Sequence, residues 1–125
     1  MKRIVFLSRS KLALNLMELI IPFVPKKAQV SGFSNVGEFE KAYFVKPVQL
    51  LVIDENFCDK NDVATLAKTI KKTTFKTARK IILIGKNSNS DRQRFLELDA
   101  NHFHTKPFLP EELAEIIDRN LGSHK

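Results

Sequence analysis

The sequence has little of the residues that mark unusual folds: one cysteine, four glycines and five prolines in 125 residues. The single cysteine, Cys58, cannot form an internal disulfide, which excludes a disulfide-stabilised secreted scaffold and favours a reducing compartment. The low glycine and proline content, with 43% hydrophobic and 28% charged residues, excludes collagen-like and low-complexity chains. We therefore expect a globular protein of the cytoplasm.

Long apolar runs are also absent. Runs such as Ile81 to Ile84 are far shorter than the roughly 18 residues that a membrane-spanning helix needs. The stretch from Met1 to Ser8 lacks the small-residue cleavage site of a signal peptide, and we interpret it as a strand. The length favours one domain over residues 1–125, because a chain of this size seldom contains two cores.

The charge of the chain is uneven. Lysine and arginine total 21 against 14 acidic residues, a net charge of +7, and no acid lies between Asp62 and Asp91. A basic patch attracts nucleic acid, anionic lipid or acidic protein surfaces, but a solvated basic face explains it equally well. No recognition helix accompanies the patch, which disfavours nucleic-acid binding. Its residues are Lys68, Lys71, Lys72, Lys76, Arg79 and Lys80, with Lys2 and Arg3 at the chain start.

Five short apolar runs predict β-strands, and segments of helical period separate them. The first, third and fourth runs are almost continuously apolar, as in strands covered by helices on both faces, whereas the more polar second suits a sheet edge. This alternation is typical of βαβ units and a parallel sheet. The predicted strands are Arg3 to Leu7, Gln29 to Phe33, Leu50 to Asp54, Ile81 to Ile84 and His102 to Thr105.

Five helices are predicted between and after these strands, giving the order (βα)5. The first ends near Pro22, because proline lacks a backbone donor. The last begins at Pro110, has two glutamates at its positive end and ends at Gly122. The five segments are Leu12 to Ile21, Val36 to Phe44, Val63 to Ile70, a segment anchored by Phe95 and Leu98, and Pro110 to Leu121.

Functional residues of open parallel sheets gather beyond the carboxyl ends of the strands. Those positions hold Ser8, Arg9, Asp54, Gly85, Lys86 and Lys106. Asp54 closes the third strand, and Thr105-Lys106-Pro107-Phe108 precedes the last helix. With the (βα)5 order, these features resemble the receiver domains of two-component response regulators, over Lys2 to about Leu121. Such domains have a doubly wound α/β fold, flavodoxin-like or CheY-like, with strand order 2-1-3-4-5, which we expect here.

The resemblance implies phosphoryl transfer from a histidine kinase to Asp54, the position of the family's acceptor. It also implies a magnesium ion held by an acidic pair after the first strand, by the acceptor and by a carbonyl at the position of Asn56. Lys106 matches the family's phosphate-site lysine. Phe103 falls at the aromatic switch position, although a strand aromatic that fills a half-buried face explains it equally well. Asp99, at a position where the family often has glycine, is expected to tolerate a left-handed conformation.

The sequence departs from this pattern at two places. Ser8 and Arg9 stand where the two carboxylates of the metal pair belong, and Mg²⁺ prefers anionic oxygen ligands. Gly85 stands where the family has a Thr or Ser hydroxyl that hydrogen-bonds the phosphoryl group, with Asn87 and Ser88 just beyond as partial substitutes. Glu55 directly follows Asp54 and is expected to point away from it if strand geometry continues.

Basic side chains are expected to converge on Asp54 instead: Arg9, Lys106 and Lys86. A guanidinium can bind a carboxylate with two parallel hydrogen bonds. We hypothesise that Arg9 occupies the place of the metal. The alternative is that Arg9 extends into solvent, as long basic side chains readily do.

Three further patterns carry weak signals. The loop from Ser8 to Lys11 has no glycine to admit a phosphate, which disfavours nucleotide or flavin binding. His102 and His104 share one strand face, but with His124 in the tail we expect surface histidines and no metal site. Cys58 has no adjacent histidine and is expected to be structural.

Together these features predict a stand-alone receiver-like module, not an enzyme, that binds a partner protein with impaired or absent phosphorylation of Asp54. As in the family, the expected partner surface comprises the fourth helix, the fifth strand and the last helix, with Phe103 and Lys106 at its centre. Two alternatives remain open: a conventional phosphoacceptor served by a histidine kinase, and a basic nucleic-acid adaptor. We expect no membrane partner and no cofactor, except Mg²⁺ on Asp54 and Asn56 if the phosphoacceptor alternative holds.

Overall fold

A five-stranded parallel sheet of strand order β2-β1-β3-β4-β5 forms the centre of the molecule. The computed structural model describes residues 2–24, 27–42, 46–57, 62–71, 75, 77–85, 93, 95–106 and 109–122. The predicted doubly wound fold and strand order are confirmed, with the more polar second strand at a sheet edge. The strands are β1 (Lys2–Leu7), β2 (Ala28–Phe33), β3 (Leu50–Asp54), β4 (Arg79–Ile84) and β5 (His102–Thr105).

The helices agree closely with the sequence pattern. They are α1 (Lys11–Ile20), α2 (Val36–Lys41), α3 (Asp62–Ile70) and α4 (Pro110–Gly122), which is the fifth helix of the sequence prediction. The hydroxyl of Ser10 accepts a hydrogen bond from the Ala13 amide at 3.1 Å and so caps the start of α1. A 3₁₀ turn over Ile21–Phe23, which contains Pro22, follows its end. No helix in the described part of the chain is long and apolar enough to cross a membrane.

Two predicted helices fall partly on residues that are not described. The fourth is represented by Gln93 and by residues from Phe95 onward, where a 3₁₀ turn over Leu96–Leu98 ends at Asp99. Asp99 has a φ of 55°, so its expected left-handed conformation is confirmed. The second helix ends at Lys41, and its predicted last residues, Tyr43 and Phe44, lie outside the described ranges.

The two faces of the sheet bury separate core layers, because successive strand side chains point to opposite sides. One layer joins the sheet to α1 and α4, and the other joins it to α2 and α3. All five residues of β3 are buried, so its polar last residue lies at the rim of a closed core. The first layer includes Ile4, Phe6, Val52, Leu83, Met17 and Ile117, and the second includes Val5, Leu7, Ile53, Ile82, Phe39 and Leu66.

The basic patch lies at the opposite end of the sheet from Asp54. Arg79 begins β4 and pairs in register with Leu50, the first residue of β3, whereas Asp54 is the last. Lys68, Lys71 and Arg79 are exposed, while Lys72 and Lys76 lie outside the described residues. The patch is therefore separated from the carboxyl ends of the strands by the length of the sheet.

An aromatic cluster around Phe39 links α2 to the rest of its core layer. The Phe39 ring centroid lies 5.6 Å from that of Phe33, 5.0 Å from that of Phe75 and 6.4 Å from that of Phe57. These rings come from β2, from the approach to β4 and from the turn after β3. Phe39 therefore ties the short helix α2 to three other parts of the fold.

Replacing Phe39 with alanine should lower the free energy of unfolding by about 3–5 kcal/mol, because a large buried ring leaves a cavity that can collapse only in part. Phe39 has no exposed surface. The matched control is Leu96→Ala, at a side chain that is 66% exposed, and it should change stability by no more than about 0.5 kcal/mol. Urea denaturation followed by circular dichroism measures both, and equal losses would contradict the role given to the cluster.

Candidate functional site

Asp54 lies at the carboxyl end of β3 with both carboxylate oxygens engaged. Its side chain is 5% exposed. Oδ1 accepts a hydrogen bond from Lys106 Nζ at 2.9 Å and one from the Asn56 amide at 3.4 Å, and Oδ2 accepts one from the Ser8 hydroxyl at 3.3 Å. A buried charge needs such partners, since desolvation without them is very costly. The structure therefore brings the predicted Asp54, Lys106, Ser8 and Asn56 together.

Lys106 follows β5 and is held over the site by its own backbone. Its amide donates to the carbonyl of Ile84 at 2.7 Å, which fixes the residue beside β4. Burial alone would lower the pKa of Lys106, but the hydrogen bond to Asp54 and the charges of Asp54 and Glu55 outweigh burial and raise the pKa above its usual 10.5. The ammonium is therefore charged at neutral pH.

Glu55 also belongs to this site, and the expectation that it points away from Asp54 is wrong. The strand ends at Asp54, and a 3₁₀ turn over Glu55–Phe57 begins at once, so the alternation of strand side chains does not continue. Glu55 Oε2 lies 3.5 Å from Lys106 Nζ and accepts a hydrogen bond of 2.5 Å from the Gly85 amide. Two carboxylates therefore share one ammonium.

Gly85 leaves room for this carboxylate. A Cβ atom at position 85 would lie 2.8 Å from Glu55 Oε2, which is closer than such atoms come in proteins. The space that a side chain at position 85 would enter, the hydroxyl position by the resemblance to receiver domains, is therefore occupied by the carboxylate of Glu55. Lys86, Asn87 and Ser88, the other residues considered for this place, lie outside the described residues.

Ser8 and Arg9, which the resemblance places at the positions of the receiver family's acidic pair, both take part in hydrogen bonds beside Asp54. Ser8 is buried, and its hydroxyl lies 3.3 Å from both Asp54 Oδ2 and Asn56 Oδ1, between which its single proton is shared. The Arg9 amide donates to Asn56 Oδ1 at 3.1 Å, so the backbone of Arg9 joins the site. Its side chain is exposed. The idea that the guanidinium replaces a metal stays a prediction, while Lys106 supplies the ion pair of Asp54.

The donor set does not fit Mg²⁺ well. Among the described side chains beside Asp54, the second carboxylate is that of Glu55, and it is held by Gly85 and Lys106. Mg²⁺ prefers carboxylates and water in near-octahedral geometry. Here the ammonium of Lys106 already neutralises Asp54 at 2.9 Å, and the Ser8 hydroxyl is uncharged.

The other residues singled out from the sequence lie apart from this cluster. Phe103 is half-buried in β5 and packs against the core layer of α2 and α3. His102 and His104 share a strand face as expected, with ring centroids 6.0 Å apart. Within the described ranges, no group of three or more histidine, cysteine or acidic side chains is placed to hold a metal. Cys58, Pro107, Phe108 and His124 lie outside those ranges.

Solved structures with the same architecture are numerous, whereas the sequence matches no protein-family model and no curated protein. A CheY-like response regulator receiver domain protein from Methanospirillum hungatei JF-1 is 21% identical, with a TM-score of 0.70 over 95% of this chain and 92% of that one. The chemotaxis protein CheY4 of Vibrio cholerae is 16% identical, with a TM-score of 0.75 over 97% and 99%.

The fold also occurs in a protein of a different kind. A putative pilus assembly protein (cpaE) from Burkholderia thailandensis E264 is 14% identical, with a TM-score of 0.75 over 96% of this chain and 98% of that one. Identities this low establish the architecture and leave the chemistry to be argued from the site. The chain has the fold of response regulator receiver domains.

Proposed function

We propose that this chain is a receiver-like signalling domain of the two-component type that acts by binding a partner protein, without efficient phosphorylation of Asp54. The observation that carries the proposal is the place of the Glu55 carboxylate, against Lys106 and the Gly85 amide. By the resemblance to receiver domains, the lysine and the position after strand four are the groups that contact a phosphoryl group. Here a carboxylate of the chain itself already engages them.

The charges at the site support the same conclusion. A phosphoryl group carries a charge of about −1.5 to −2 at neutral pH, and it would enter beside a carboxylate that shares a single ammonium with Asp54. Like charges at such short range repel strongly when partly buried. A divalent ion would offset that charge, but Ser8 and Arg9 supply no carboxylate to hold one.

The two alternatives each have some support. Asp54 and Lys106 form an ion pair at the end of the sheet, as in a phosphoacceptor site. Phosphorylation of Asp54 by a phosphodonor would therefore support the phosphoacceptor alternative. The exposed residues Lys68, Lys71 and Arg79 support the nucleic-acid adaptor. A gel shift that weakens steeply with salt would identify the adaptor, since released counterions drive such binding.

We propose that the partner protein binds the edge of the sheet at β5. The segment that precedes β5 and the helix α4 complete this surface. His102 and Thr105 are exposed there, and Phe103 is half-buried and packs against the core layer of α2 and α3. Aromatic side chains that are partly exposed often carry a large share of binding energy. We further propose that the protein is cytoplasmic and is not an enzyme. A cytoplasmic location fits a chain whose one cysteine cannot form an internal disulfide.

Incubation with acetyl phosphate and Mg²⁺ should leave Asp54 unmodified, because the metal that offsets the transferred charge has no carboxylate pair to hold it. Intact-mass spectrometry measures the adduct, and the Asp54→Asn variant separates modification of this residue from modification elsewhere. A receiver domain that retains the acidic pair serves as the positive control. A stoichiometric adduct on the natural protein that disappears in Asp54→Asn would overturn the impaired-phosphorylation proposal.

Arg9→Asp should increase the affinity for Mg²⁺, because it returns a carboxylate to a position of the family's metal pair. Arg9→Gln is the matched control, since it removes the cation and adds no anionic ligand. A Mg²⁺ titration followed by the amide resonances of Asn56 and Phe103 measures the difference. If Arg9→Asp and Arg9→Gln bind Mg²⁺ equally weakly, position 9 does not take part in a metal site.

Asp54→Ala should leave partner capture largely intact, because Lys106 keeps a carboxylate partner in Glu55 at 3.5 Å. Phe103→Ala and the exposed-site variant His102→Glu should both reduce it, because they alter the proposed binding surface. Quantitative pull-down with each variant, checked for folding by circular dichroism, measures the loss for the same captured protein. Loss of capture in Asp54→Ala alone would make Asp54 the signalling residue and favour the phosphoacceptor alternative.

A further inference from the structure

Helix α1 presents an apolar stripe to solvent. Leu12, Leu16 and Leu19 are 69%, 52% and 66% exposed, and Phe23 in the turn that follows is 60% exposed. Of the six large apolar side chains that are exposed in the described residues, these are four, and Leu109 before α4 is a fifth. Contiguous apolar surface of this kind marks an interaction site more often than an isolated exposed leucine does.

The spacing of the stripe indicates the shape of its partner. The four side chains follow one another at intervals of four, three and four residues. These intervals average about 3.7, close to the 3.6 residues of one helical turn, so the side chains form one row along the helix. Rows of side chains three and four residues apart are the ridges that pack into the grooves of a neighbouring α-helix. A sheet edge or an irregular loop would not match such a row along its length.

A groove runs beside the stripe, between α1 and the start of α4. Its volume is about 550 Å³, and Met17, Ile20 and Leu83 line it. One end reaches Asp54 and Lys106, so the groove opens toward the candidate site. The exposed stripe and this apolar groove together form a surface that we name the α1–α4 groove.

Acidic side chains border the other end of the α1–α4 groove. Phe23 and Ala114 share a smaller depression with Glu111, Glu115 and Asp118, which follow one another along α4. Glu115 also pairs with Arg119 at 2.9 Å, an exposed contact of small energy. Counted over both helices, α1 and α4 carry five acidic and two basic residues, in a chain whose net charge is +7. This end of the groove is therefore a locally negative surface on a positive protein.

We propose that the α1–α4 groove binds a basic amphipathic α-helix of a partner protein. The apolar side of that helix would pack on Leu16, Leu19 and the groove, and its lysines or arginines would lie along Glu111 and Glu115. An anionic membrane surface is disfavoured by the same acids. A second copy of this chain is also disfavoured, because symmetric contact would bring two identical acidic rows together. This surface is additional to the one proposed on β5.

Two synthetic peptides test the proposal. Both are about 18 residues long, enough to form a helix, and both carry leucines at alternating intervals of three and four. One has lysine on the flanks of the leucine stripe and the other has glutamate. Fluorescence anisotropy should show binding of the lysine peptide and at least about tenfold weaker binding of the glutamate peptide, a difference of about 1.4 kcal/mol. Amide shifts on adding the lysine peptide should map to α1 and α4.

Two pairs of variants locate the interaction. Leu16→Ala/Leu19→Ala should weaken binding of the lysine peptide by about tenfold or more, because both changes remove apolar area that the peptide would bury. The exposed Leu96→Ala is its control. Glu111→Lys/Glu115→Lys should reverse the preference toward the glutamate peptide, and Glu40→Lys, on the exposed surface of α2, is the control for that change. Circular dichroism checks that each variant is folded.

Several results would overturn the proposal. It fails if neither peptide binds, if the glutamate peptide binds as well as the lysine peptide, or if Leu16→Ala/Leu19→Ala binds normally. It also fails if sedimentation shows a dimer that Leu16→Ala/Leu19→Ala dissociates, because the groove would then be covered by a second copy. Binding to anionic vesicles that exceeds binding to the lysine peptide would assign the surface to a membrane.

Discussion

A buried carboxylate at the end of a buried strand requires neutralisation, and the arrangement at this end of the sheet follows from that requirement. Asp54 closes β3 between two core layers, where its charge finds little water. Lys106, from the next strand but one, supplies the cation, and the Ser8 hydroxyl supplies a second donor. Because Lys106 directly follows β5, the ion pair ties the centre of the sheet to its edge across β4. Glu55 then completes the cluster by sharing the ammonium.

The sequence was sufficient for the fold because its strongest signals are periodic. The almost continuous apolar runs of β1, β3 and β4 and the helical spacing of α1 and α4 fix the element type, and polar strand ends identify the rim. The direction of Glu55 was predicted wrongly because it depends on where β3 ends. If the strand continued for one more residue, the Glu55 side chain would point away from Asp54. A signal was present in the pairing of an acid after Asp54 with a glycine after β4. The exposure of the apolar stripe of α1 could not be predicted, since apolar spacing on a helix does not reveal which face is covered.

Charge is distributed in three zones, and each suits a different kind of contact. The amino-terminal end of the sheet is basic, the carboxyl end holds two carboxylates with one ammonium, and the α1–α4 groove is bordered by acids. Net charge alone therefore misdescribes the molecule, because a partner responds to the field of the zone that it approaches. Between exposed charges this field decays over roughly 8–10 Å at physiological salt, so zones at opposite ends of the sheet act almost independently.

The contact between Glu55 and Gly85 constrains how this site can change by mutation. A side chain at position 85 would meet Glu55 Oε2 at 2.8 Å, so adding one first displaces the carboxylate from the Gly85 amide. Replacing Glu55 first by a smaller residue removes the obstacle. A hydroxyl could then be introduced at position 85 without a clash with that carboxylate. The path from this site to one that carries a hydroxyl after β4 therefore has a preferred order of steps, in which Glu55 changes before Gly85.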